Sequence, residues 1–141
     1  MALSIAQLQA LAASVGFPAS AAPTAAAIAM AESSGNPSAI GDNGTSFGLW
    51  QIHTPAWPQF DATSLLDPNY NAQAAFHIYS TRGGSFQDWS TYTTSDPNLS
   101  YKRFVVPYAP SVWPVVKAVA IVAAVAVVAS EVIQRLLSSR R

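Results

Sequence analysis

The twelve residues Ala118–Ala129 contain no polar side chain, and this run limits the possible fold more than any other feature of the chain. A helix lying on a globular core keeps one face polar, with apolar residues recurring every three or four positions. No such face exists between 118 and 129, so the segment needs a bilayer or a protein partner all round it. Counted from Val112 to Ala129, the stretch is 18 residues long and is interrupted by Lys117 near one end. A bilayer span takes roughly 20 residues, and a lysine so placed can snorkel. Tyr108 and Trp113 precede the run, and Arg135, Arg140 and Arg141 follow it. These are the positions of interfacial anchors, and the arginines would keep the C-terminus inside. The expectation is a single transmembrane helix over 113–138 with a basic end at 139–141. The alternative is a buried helix in an oligomeric bundle. Lys117, Glu131 and Arg135 fall near one helical stripe, and Glu131 with Arg135 makes an i,i+4 pair.

The remainder is a different kind of object. Residues 1–101 carry six acidic side chains and one basic, a net of −5, while residues 102–141 carry six basic and one acidic, a net of +5. The 141 residues are neutral only on average. Residues 1–101 read as a folded domain and 102–112 as a linker. The chain is 50% hydrophobic and only 10% charged, which excludes disorder as the default state. It has no cysteine, hence no disulfide framework, thiolate metal site or cysteine nucleophile. With only His53 and His77 besides, neither a metal nor a cofactor is expected. The absence of a basic excess argues against a nucleic-acid partner.

Within the domain the spacing predicts mostly helices. Met1–Val15 repeats Ile5, Leu8, Leu11, Ala12 and Val15 at helical spacing. Ser4 and Gln7 stand as a capping box, Leu3 and Leu8 as a staple, and Gly16 closes the segment. A secretory signal is disfavoured there, because no Lys or Arg precedes the apolar part and Gln7 and Gln9 interrupt it. A second helix is expected from Pro23 to Ser34, ended by Gly35. Its residues are nearly all alanine, and such small side chains let neighbouring backbones approach closely, which places it at the domain centre. Gly41-Asp42-Asn43-Gly44 signals a turn, and Phe47, Leu49, Trp50 and Ile52 are short-strand material. Asp67 and Pro68 open a third helix whose core face is Asn71, Ala74, Ala75 and Ile78, ended by Gly83-Gly84. Ser85 and Asp88 read as a capping pair for a short helix through Trp89 and Tyr92. Residues 93–110 read as loop.

Glu32 is the residue to which chemistry points first. It is the only Glu before position 131. Ala25, Ile28 and Ala29 share its helical face, and it lies in the last turn, where the macrodipole disfavours a negative charge. Both settings push a carboxyl toward the protonated form, which is what a general acid needs. A solvent-facing Glu at a helix end is the alternative from position alone.

The neighbours decide between the two. Glu32-Ser33-Ser34-Gly35-Asn36-Pro37, followed by Gly48-Leu49-Trp50-Gln51-Ile52, resembles the lytic transglycosylase and goose-type lysozyme superfamily. That family carries a helix ending in Glu-Ser and then a Gly-Leu-x-Gln-[Ile/Leu] strand. Asp67-Pro68 with Asn71, Ala74 and Ala75 is similar to its next helix. Gly84-Ser85-Phe86 with Trp89 and Tyr92 is similar to its later aromatic segment. The likeness covers about residues 1–101. In its Phe86, Trp89 and Tyr92 spacing the chain is most similar to lysozyme-like domains of phage structural proteins. Where many members read Tyr-Asn-Ala-Gly, this chain has Tyr92-Thr93-Thr94-Ser95, a departure at the far wall of the site.

The resemblance implies a mainly α, lysozyme-like domain with a short β-hairpin region, acting on peptidoglycan. Glu32 matches the catalytic acid that protonates the glycosidic oxygen between N-acetylmuramic acid and N-acetylglucosamine. Gly48 and Gln51 would line the sugar groove, Trp50 would pack on a sugar face, Ser46 would contact an N-acetyl group, and Tyr92 would orient the acid. Asp42 is the candidate second carboxylate of a hydrolytic mechanism, or simply a turn residue. Without it, Glu32 acts alone and the muramic 6-hydroxyl closes an anhydro ring, the lytic transglycosylase reaction that is expected here. His53, adjacent to the groove strand, could bind sugar but reads first as a loop residue, and His77 reads as surface or partly buried. The implied setting is a phage particle or tail at the host envelope, membrane-anchored or joined to other virion proteins through 113–138. A phage structural protein without catalysis is the rival from another class.

Overall fold

The computed structural model describes residues 1–107, so the helix expected over 113–138 lies outside the described residues. Among the described residues no helix is long and apolar enough to cross a membrane.

Helix α1 (Ile5–Ser14) begins where the capping box places it. Ser4 Oγ accepts from the Gln7 amide at 3.3 Å, and the Gln7 side chain accepts from the Ser4 amide at 2.9 Å. Two orphan amides of the first turn are thus satisfied reciprocally. Helix α2 (Ala22–Ser33) carries Pro23 in its first turn. Ala22, Ala25, Ala26, Ala27, Ile28 and Ala29 are completely buried. The run of small side chains has a visible use: the Trp50 indole reaches the helix backbone itself and donates to the Ala25 carbonyl at 2.9 Å. Larger residues on that face would hold the ring away. The helix ends on Ser34 in the left-handed region (φ 54°), followed by Gly35 (φ 73°). Gly35 is required for a second reason. Its carbonyl accepts from the Leu3 amide at 2.8 Å, and a Cβ there would collide with the Leu3 carbonyl.

The short β-hairpin region that the resemblance implies is present, and the strand material from Phe47 to Ile52 is divided by one of its turns. Strands β1 (Ile40–Gly41), β2 (Ser46–Phe47) and β3 (Ile52–His53) form an antiparallel sheet in that order, with Ile40 opposite Phe47 and Ser46 opposite His53. Residues 48–51 are the turn between β2 and β3, entered by Gly48 (φ 75°) and left by Gln51 (φ 46°). Helix α3 (Pro68–Thr81) follows a short 3-10 turn, Ser64–Leu66. Asp67 caps it by accepting from the Tyr70 amide at 2.9 Å. Its fully buried Asn71 ties α3 to the hairpin. The side-chain carbonyl accepts from the Trp50 amide at 2.9 Å, and the NH2 donates to the Phe47 carbonyl at 2.9 Å and the Leu65 carbonyl at 3.0 Å.

The short helix after Gly84 starts later than its sequence signal. Helix α4 is Ser90–Thr93, with Trp89 at its cap and no capping side chain. Ser85 accepts from the Gln87 amide, and Asp88 pairs with Arg82 instead of capping. Tyr101–Phe104 forms a 3-10 turn packed against α2. The Gln9 side chain donates to the Val106 carbonyl at 2.6 Å. The first residues assigned to a linker are therefore seated on the helices. The core joins Leu8, Ile28, Leu49, Trp50, Leu65 and Ile78 to a cluster of rings, with Tyr79 and Phe17 at centroid distances of 4.6 and 5.9 Å from Phe86.

Candidate active site

A cleft of about 640 Å³ is lined by the end of α2, by the sheet and by the segment from Arg82 to Ser90. Glu32 stands in its wall, half-buried. The Thr91 hydroxyl donates to Glu32 Oε1 at 2.7 Å. Burial holds the Glu32 carboxyl above the ordinary glutamate range. The hydrogen bonds from Thr91 oppose that rise, and the nearby Asp42 charge adds to it. Desolvation and a like charge both disfavour the ionised form, so the side chain is suited to deliver a proton into the cleft.

The sheet wall is built from strained backbone. Asp42 (φ 48°) and Asn43 (φ 54°) are both left-handed, as is Gln51. Such conformations are costly for non-glycine residues and gather where a site must be held in one shape. Polar side chains hold this one. Buried Ser46 donates to Asp42 Oδ2 at 2.6 Å, and Thr45 donates to the Asp42 carbonyl at 2.7 Å. His53 Nδ1 lies within hydrogen-bond distance of both hydroxyls, 3.2 Å from Ser46 and 3.4 Å from Thr45. Asp42, Ser46 and His53 form one hydrogen-bonded chain along the cleft wall.

The structure sorts the residues singled out from the sequence. Glu32, Asp42, Ser46 and Gln51 line the cleft together. Gln51 also braces it, donating to the carbonyls of Ala39 at 3.2 Å and Gly48 at 2.8 Å. Gly48 stands behind the wall. It is buried, and a Cβ there would strike the Leu65 carbonyl and the Asn71 amide. Its role is this close approach and not a sugar contact. Trp50 is a correction of the same kind. It is 0% exposed with its N–H satisfied by Ala25, so it supports the wall from the core and offers no face to a sugar. Tyr92 does not orient the acid. Its ring packs on Phe86 and Tyr101 at 5.6 and 5.0 Å, and its neighbour Thr91 makes the bond to Glu32. Three more residues escaped the sequence reading: Trp57, Arg82 and Asp88 all line the cleft. Arg82 had a signal, as the only Lys or Arg among residues 1–101. Among the described residues no group of three His, Asp or Glu side chains is placed to hold a metal ion.

Residues 9–91 match the family described as a lysozyme-like domain, more than half of the chain. The chain belongs to the lysozyme-like domain family. No curated protein matches it. The matched span contains the whole cleft lining and Thr91. A helical domain with a small antiparallel sheet is the architecture expected of a lysozyme-like domain, and family membership places the chain among proteins that act on peptidoglycan glycan strands.

Proposed function

We propose that this domain is a lytic transglycosylase that cleaves the β-1,4 bond between N-acetylmuramic acid and N-acetylglucosamine, with Glu32 as acid and then as base. The observation that carries this reading is the Glu32 carboxyl, half-buried in a cleft, oriented by Thr91 and held above its ordinary range by burial. In the first step Glu32 gives its proton to the glycosidic oxygen as the bond to the muramic C1 breaks. In the second the Glu32 carboxylate takes the proton of the muramic 6-hydroxyl, and that oxygen bonds to C1 and closes a 1,6-anhydro ring. No water is consumed, and Glu32 ends protonated as it began. Acid–base assistance of this kind contributes about 10²–10⁴-fold.

Lysozyme-type hydrolysis is the second reading, favoured by one observation: Asp42 shares the cleft with Glu32 and its charge acts on it. A second carboxylate so placed is what hydrolysis uses. Mass spectrometry of the fragments released from purified cell walls separates the two. Anhydro-muramic ends are expected; reducing muramic ends would replace the transglycosylase by a hydrolase. The setting we propose is local wall opening by a phage particle, with residues 113–138 as membrane anchor. The Phe86, Trp89 and Tyr92 spacing and the apolar 118–129 run support it.

A further inference from the structure

The only Lys or Arg among residues 1–101 lies in the cleft. Arg82 caps the C-terminus of α3 and is fixed from two directions. Its guanidinium lies over the Trp57 ring, 5.4 Å from the centroid. Its Nε donates to both Asp88 carboxylate oxygens, at 3.0 and 3.1 Å. The Arg82 side chain is nevertheless 53% exposed. A guanidinium has five donors in a planar fork. The Nε side is taken by Asp88, which leaves the Nη groups with no acceptor among the described residues. Arginine and tryptophan both line the cleft, so the immobilised fork is part of its surface. The other charged side chains of that lining are the carboxylates Glu32, Asp42 and Asp88. Among the side chains lining the cleft, Arg82 is the one Lys or Arg able to pair with an anionic ligand.

Resting on the glycan-cleaving reading above, we propose that Arg82, positioned by Trp57 and Asp88, is a carboxylate-binding subsite that selects muramic-acid-bearing strands over plain N-acetylglucosamine strands. The sugar rings of peptidoglycan are uncharged. Its anionic groups are the lactyl carboxylate of a muramic residue without peptide and the carboxylates of the stem peptide where one is attached. A planar fork pairs with either in a bidentate manner.

The test is equilibrium binding to full-length protein carrying Glu32→Gln, which does not cut its ligand. Three probes are compared: a muramic-containing tetrasaccharide with free lactyl groups, the same glycan with stem peptides, and chitotetraose. At low salt at least one carboxylate-bearing probe is expected to bind about tenfold more tightly than chitotetraose, the order of one exposed charge-assisted bidentate contact. Whichever probe shows the gain identifies the source of the carboxylate. The preference should shrink as salt is raised and disappear in Arg82→Gln with an unchanged melting temperature. Arg82→Lys keeps the charge without the fork, so it should retain only part of the preference, and it also reports if the glutamine variant fails to fold. Equal binding of all three probes, or a preference that survives Arg82→Gln, overturns the subsite and leaves the glycan reading standing. Failure of all three to bind overturns both.

Discussion

The cleft has two walls made in opposite ways. The helical wall, ending in Glu32, is a regular α-helix of alanines whose geometry follows from burial. The sheet wall, carrying Asp42, Ser46, Gln51 and His53, has three left-handed non-glycine residues and is held by side chains bonded to backbone and to one another. One wall is rigid because apolar surface must be buried there. The other is rigid because polar groups lock a strained backbone. The acid stands on the wall that packing alone determines, and the groups that tune or accompany it stand on the wall that hydrogen bonds determine. A mutation should therefore act through folding when it touches the joint between the walls, and through chemistry when it touches either face.

Asn71 is that joint, and its loss should have the largest effect. Asn71→Ala removes three hydrogen bonds, two of them buried, and takes their side-chain partner from the Trp50 amide and from the Phe47 and Leu65 carbonyls. At about 1–3 kcal/mol for each group stranded in the interior, partly relieved by relaxation, roughly 2–4 kcal/mol of stability is expected to go. Denaturant unfolding measures it, and a loss under about 1 kcal/mol would mean that the walls are not joined there. Asp42→Asn comes next and sharpens the comparison on the sheet side. If Glu32 works alone, cleavage falls by no more than about tenfold, whereas a hydrolytic partner would cost about 10²–10⁴-fold. Initial rates on purified walls distinguish these.

The following effects are smaller and concern pH. Thr91→Val removes a hydrogen bond that stabilises the ionised Glu32, so the carboxyl rises further and the alkaline limb of the rate profile moves to higher pH. Asp42→Asn removes a like charge, so the same limb moves to lower pH. Shifts in the same direction would break the assignment of Glu32 as the acid. The smallest effect is on stability. A carboxyl raised on folding contributes stability that is full below the unfolded pKa and is lost as pH rises through the folded one. Glu32→Gln should therefore melt with the parent in acid and above it at neutral pH. Parallel melting curves across that range would contradict a raised carboxyl.

The legibility of the sequence follows the same division. The capping box at Ser4 and Gln7, the Asp67-Pro68 start of α3 and the buried face leading to Glu32 are local in origin, since each depends on residues within one or two turns. The hairpin region was expected, but the turn that breaks it at residues 48–51 was not legible. Gly48-Leu49-Trp50-Gln51 has strand composition, yet Gln51 turns left-handed because its amide finds the Ala39 and Gly48 carbonyls. Trp50 could have faced a sugar or the core, and it faces the core because the carbonyl of Ala25, on helix α2, completes its indole N–H. Thr91 and Tyr92 are adjacent, and α4 is only four residues long. Which of them meets Glu32 depends on how the chain leaves Trp89, whose indole is anchored to the Trp50 carbonyl at 2.8 Å. These are long-range facts that periodicity does not carry. Membership of the lysozyme-like family was legible because Glu32, Gly48, Gln51 and Asn71 occur in order, although two of the four serve the fold and not the substrate.

If the Glu32 carboxyl breaks the glycan bond, the release of soluble glycan from purified peptidoglycan must differ between full-length parent and Glu32→Gln protein at equal concentration. Release by the parent is expected, with a drop of about 10²–10⁴-fold in a glutamine variant that is folded and at least as stable at neutral pH. Equal release by the two proteins would contradict it.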